Sequence, residues 1–182
     1  EYILSEHGRI QTDVVKAVEL GQKKCEDLLG IVPSDRVRII LKSHSHPLRS
    51  GEMRGGEIVL YASDQLCSDV SFLQRLTIHE YVHHVLTTFI DPENLPWWLN
   101  EGLAERISEG PLLEFEKVDI HDIMDEEDFY KPVVHQTHKR AGLARYLVSA
   151  IEERWDWEKI REILNRLANG EDCKKALEEA IG

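Results

Sequence analysis

Apolar and polar positions recur along this chain with two different periods, and the places where the period changes divide it into elements. "QTDVVKAVELGQKKCEDLLG" (11–30) carries Val14, Val15, Val18, Cys25, Leu28 and Leu29 at helical spacing and ends on Gly30, which predicts an amphipathic helix with its usual stop. Ahead of it, "YILSEH" (2–7) predicts a short strand. After Pro33, "RVRIILK" sets Arg36 and Arg38 against Val37 and Ile39, the alternation of a strand. "RSGEMRGG" predicts a glycine-rich turn leading to the strand "EIVLYA", so that this part of the chain is expected to form a βαββ layer.

The period then turns helical. "DVSFLQRLTIHEYVHHVLTTF" predicts a helix with Asp69 or Ser68 as its cap, "DPENLP" breaks it, and "WWLNEGLAERISE" predicts a second helix closed by Gly110 and Pro111. Residues 112–132, with Asp125, Glu126, Glu127 and Asp128 in a row, predict a solvated acidic loop or short helix. "KRAGLARYLVSAIEERW" and "DWEKIREILNRLANG" predict two further amphipathic helices, and "EDCKKALEEAIG" a short terminal one. The expected class is therefore α+β in a single domain spanning 1–182. Residues 1–67 are mixed strand and helix, and 68–182 mostly helical.

With 182 residues, 42% hydrophobic and 31% charged, the chain has the composition of a globular domain able to bury a core. A formal net charge of −12 argues against nucleic acid or an anionic membrane surface as a partner, because both need a basic face. No stretch approaches the roughly 20 apolar residues of a membrane span, and "EYILSEHGRI" lacks a signal-peptide pattern. The first residue is not Met, which leaves an upstream segment open. Cys25, Cys67 and Cys173 stand far apart, so a disulfide framework or thiolate zinc site is not expected. Each reads as a small buried hydrophobe in a reducing, cytoplasmic setting.

The chemistry concentrates in "LTIHEYVHHVL". A helix turns about 100° per residue, so His79 and His83 lie about 40° apart on one face, where two imidazoles can meet one metal ion. Glu80, beside His79, can reach a water on that ion. This is the HExxH arrangement of two zinc ligands and a general base. A catalytic zinc takes three protein ligands and keeps a position for water, so a third donor is required. Glu101, on the helix that returns after "DPENLP", supplies it. Glu105, four residues on, shares its face and is placed to accept the free N–H of one ligand histidine.

"HEYVHH" followed by "LPWWLNEGLAE" resembles the gluzincin metallopeptidases, most nearly the peptidase MA-like group and the catalytic core of aminopeptidase N-like enzymes. The resemblance implies a zincin-like fold, with a small mixed sheet packed on the HExxH helix and one zinc ion per chain. It implies His79, His83 and Glu101 as zinc ligands, Glu80 as general base, and a peptide or protein as substrate. It is strong over 68–106 and weaker elsewhere.

The departures are specific. Aminopeptidase N-like enzymes carry a G-A-M-E-N segment that holds the substrate amino group, and "GEMRGG" does not supply that order. This shifts the expectation toward endopeptidase action on an extended peptide, which could add to "EIVLYA" as to a free sheet edge. Those enzymes also use a Tyr after the second helix. Here the candidates are Tyr130, His135, His138 and Tyr146, of which His138 is favoured as oxyanion donor because an imidazole can donate as a phenol does. Tyr146 is expected to be core or helix surface. The alternative from another class is a zinc-binding regulatory or scaffold protein that keeps the fold without efficient hydrolysis. His84 is expected to support the site from outside or to be exposed, and His44 and His46 to lie in a polar loop. Trp97 and Trp98 are expected to wedge the two helices together.

Overall fold

The computed structural model describes residues 8–33, 36–42, 51–61, 69–109 and 138–182. The expected strand 2–7, the acidic stretch 112–132, and Cys67, His44, His46, Gly110, Pro111, Tyr130 and His135 lie outside the described residues.

Helix α1 (Gly8–Leu29) turns Val14, Ala17, Val18, Cys25 and Leu29 inward, as its apolar spacing requires. Its stop is Gly30 at φ 69°, whose N–H reaches back to the Glu26 carbonyl at 3.1 Å. Strands β1 (Arg38–Lys42), β2 (Gly51–Arg54) and β3 (Glu57–Tyr61) form a sheet in the order β1-β3-β2. β1 runs parallel to β3 with Ile39 opposite Ile58, and β2 runs antiparallel to β3 with Gly51 opposite Leu60 and Arg54 opposite Glu57.

Two expectations are corrected here. The stretch "RSGEMRGG" is not simply a turn, because its residues 51–54 form strand β2. The turn proper is Gly55 and Gly56, at φ 58° and 81°. Positive φ at both central residues is the type I′ geometry, one of the two-residue turns whose twist matches the flanking strands. The second correction follows from the first. The hairpin lays β2 on one side of β3 while β1 takes the other, so "EIVLYA" supplies the central strand and not an edge. Among the described residues the edge on that side is β2.

Helix α2 (Val70–Phe89) is capped by Asp69, whose carboxylate accepts from the Phe72 N–H at 3.0 Å. Every residue from Ile78 to Leu86 except His79 is buried, so this helix is the axis of the core rather than a surface helix with one apolar stripe. α1 packs along it and β2 and β3 lie across it. After an Asp91 turn, in which the Glu93 N–H reaches the Asp91 carboxylate at 3.0 Å, helix α3 (Trp97–Ile107) runs back beside α2. Trp97 and Trp98 are buried at its start, as expected of a wedge.

Helix α4 (His138–Ala168) is two helical runs joined at Asp156, where φ 67° and ψ 171° break the helix where the sequence predicts two separate ones. The Arg106 guanidinium grips Glu152 through two bonds of 2.7 and 2.8 Å, and Trp157 Nε1 donates to the same carboxylate at 3.0 Å. These bonds tie the break to α3. Helix α5 (Cys173–Ile181) closes the described chain, capped by Asp172. α3 meets α4 at Gly102, where a Cβ would stand 2.3 Å from the Ala144 carbonyl oxygen and 2.6 Å from Val148 Cγ2. Glycine at that position is what lets the two backbones touch.

Candidate metal centre

α2 and α3 bring three donors to one point. His79 Nε2 and His83 Nε2 face each other at 3.0 Å; Glu101 Oε1 lies 3.3 Å from His83 Nε2, and Oε2 lies 3.8 Å from His79 Nε2. Ligand atoms about 2.0–2.1 Å from a tetrahedral zinc stand about 3.3 Å from one another. The observed separations bracket that value, so the three side chains fit a single cation and can hold one. Their convergence follows from the helical turn between 79 and 83 and from the return of α3 alongside α2.

Each imidazole is also held from behind. His83 Nδ1 donates to the Asn100 amide oxygen at 2.8 Å, which leaves its Nε2 to face the other donors. His79 Nδ1 lies 3.5 Å from Glu105 Oε1, the partner expected from the sequence. The motif does not point to Asn100. It stands one residue before Glu101, and the only sequence signal for it is a polar amide amid the apolar start of α3.

The charges are organised around one proton. Burial, together with the neighbouring His83, pulls the His79 pKa down to about 4 against the pull of Glu101. Burial also acts to lower His83, but the charge and hydrogen bond of Glu101, the charge of Glu80 and the bond to Asn100 outweigh it and hold His83 up at about 9. The proton held on His83 Nε2 lies between the Glu101 carboxylate at 3.3 Å and His79 Nε2 at 3.0 Å. A divalent cation and that proton compete for the same lone pairs.

Glu80 is 6% exposed and close enough to act on His83 from the side facing β2. His138 is the first residue of α4; its side chain lies outside what the structure describes. Tyr146 is half-buried on α4, as expected of a helix-surface residue. Of the two alternatives for His84, support of the site or exposure, the structure excludes exposure. At 6% exposure it packs with its ring centroid 6.2 Å from that of Tyr81, because α2 is covered on that side too. Cys25 and Cys173 are buried thiols, as expected. No described helix is long and apolar enough to cross a membrane.

No protein-family model matches the chain, and no solved structure matches it. A relative among curated proteins is the "Uncharacterized protein YhcO" of Bacillus subtilis (strain 168), 23% identical over 164 residues, covering 85% of this chain. The chain spans 44% of that relative's length.

Proposed function

We propose that this chain is a zinc-dependent metallopeptidase of the gluzincin type, cleaving within extended peptides rather than from their amino end. The observation that carries the reading is the meeting of two imidazole Nε2 atoms and the Glu101 carboxylate, with the buried Glu80 carboxylate beside them. A zinc ion held there would supply a water of lowered pKa and polarise a carbonyl. Glu80 takes the proton from the attacking water and returns it to the leaving amine. Its neighbours suit it to that work, since it lies close to His83 in a site that burial has dried. Asn100 and Glu105 keep the imidazoles aimed, and His138 is assigned the hydrogen bond to the carbonyl oxygen. An extended substrate strand would add to the outer side of β2, which pairs with β3 on its inner side. Buried, unreactive thiols suit a reducing compartment such as the cytoplasm.

The second reading, a zinc-binding scaffold without hydrolysis, rests on the missing G-A-M-E-N order and on an oxyanion role that the sequence offers to several residues rather than to one tyrosine. Glu80→Gln at verified zinc occupancy separates the two. Cleavage of casein peptides by the parent that vanishes in the variant supports the peptidase; no cleavage by either protein supports the scaffold.

A further inference from the structure

Gly51 begins strand β2 beside Glu80, and its backbone is not in the left-handed region that Gly55 and Gly56 occupy. Conformation therefore does not require glycine there, and glycine within a strand weakens it. Space does require it. A Cβ at position 51 would stand 2.8 Å from Glu80 Oε1, 3.0 Å from its Cγ and 3.2 Å from its Cδ. Contact along the side chain from Cγ to the carboxylate means that rotating the tip alone would not relieve the clash.

Neither wall can yield easily. β2 is paired to β3 through Gly51 with Leu60 and Glu52 with Val59, and Tyr61 Oη donates to the Glu52 carboxylate at 2.6 Å. On its other side Glu80 lies near His83 on the rigid, buried middle of α2.

We infer that Gly51 is a positioning residue: the bare strand at this point leaves the slot that holds the Glu80 carboxylate beside the metal ligands, and a methyl group there would push it out of line. The inference rests on Glu80 as the general base of the proposed hydrolase. Its test is Gly51→Ala, made alone and together with Glu80→Ala, which removes every Glu80 atom that the methyl would meet.

Two quantities are read: kcat for casein peptides with zinc bound, and the pH at which the visible spectrum of the cobalt(II)-loaded protein changes, which needs no turnover. With Glu80 intact, Gly51→Ala should lower kcat about 10²-fold and move the cobalt midpoint in the same direction as Glu80→Gln. In the Glu80→Ala background, which has no carboxylate to displace, the same change should leave the cobalt midpoint in place. Equal effects in both backgrounds, or none with Glu80 intact, would overturn the inference. So would a Gly51→Ala protein that fails to fold and is not restored by Glu80→Ala. If the parent cleaves nothing, the peptidase reading fails, and the cobalt comparison still decides the role of Gly51.

Discussion

Asn100 accepts the His83 Nδ1 proton at 2.8 Å, one residue before the carboxylate that meets the other side of the same imidazole. Successive residues of α3 thus hold both nitrogens of His83, one as a support and one as a fellow ligand. Asn100→Ala should therefore weaken zinc binding by about 10 to 100-fold without removing a ligand. Glu105→Ala, which removes a longer 3.5 Å contact to His79, should sit at the low end of that range. Competition against a chromophoric chelator measures both, and unchanged affinities would reduce these residues to surface polar groups.

Metal binding should release a proton. With His79 at about 4 and His83 at about 9, the metal-free pair carries one proton between those values. Apparent zinc affinity should then rise by about tenfold per pH unit through that window and level off above it. The same proton acts on the metal-free fold. The His83 pKa lies above its ordinary 6.5, so its contribution to stability is complete below pH 6.5 and lost as pH rises through about 9. Calorimetric titration in buffers of different ionisation enthalpy counts the released protons.

Gly102→Ala should destabilise the protein by about 1–3 kcal/mol, because the added methyl would meet the Ala144 carbonyl, which is backbone and cannot rotate away. A lower urea midpoint with unchanged slope checks this. A neutral result would mean that α4 can draw back from α3.

Burial raises the thiols of Cys25 and Cys173 to about 12. A Cys67→Ser protein should therefore remain unlabelled by a thiol reagent at neutral pH and take up two labels once unfolded. Labelling of the native protein would contradict their burial.

The convergence of His79, His83 and Glu101 is legible because it follows from the helical period. His79 and His83 share a face by arithmetic, and a short break at "DPENLP" leaves little choice but for Glu101 and Glu105 to return beside them. The support from Asn100 was not legible, since adjacent helix positions diverge by about 100° and only the packing angle of α3 on α2 decides which of them reaches His83. β2 was hidden for a different reason. Glycines weaken the alternation of apolar residues, and the pairing that makes Gly51–Arg54 a strand comes from β3 across a two-glycine turn. Strand order has no period at all, which is why the sequence points to "EIVLYA" as the edge rather than to β2. The break at Asp156 was visible as a junction between two amphipathic runs, although its ties to Arg106 through Glu152 were not.

His79, His83 and Glu101 should bind one cation together, and X-ray absorption at the zinc edge, on protein titrated with one equivalent, shows whether they do. The predicted spectrum contains nitrogen and oxygen scatterers only, at about 2.0–2.2 Å, with the outer pattern of two imidazoles, and that pattern is lost in His83→Ala. Failure to bind one equivalent, sulfur among the ligands, or a two-imidazole pattern that survives His83→Ala would contradict it.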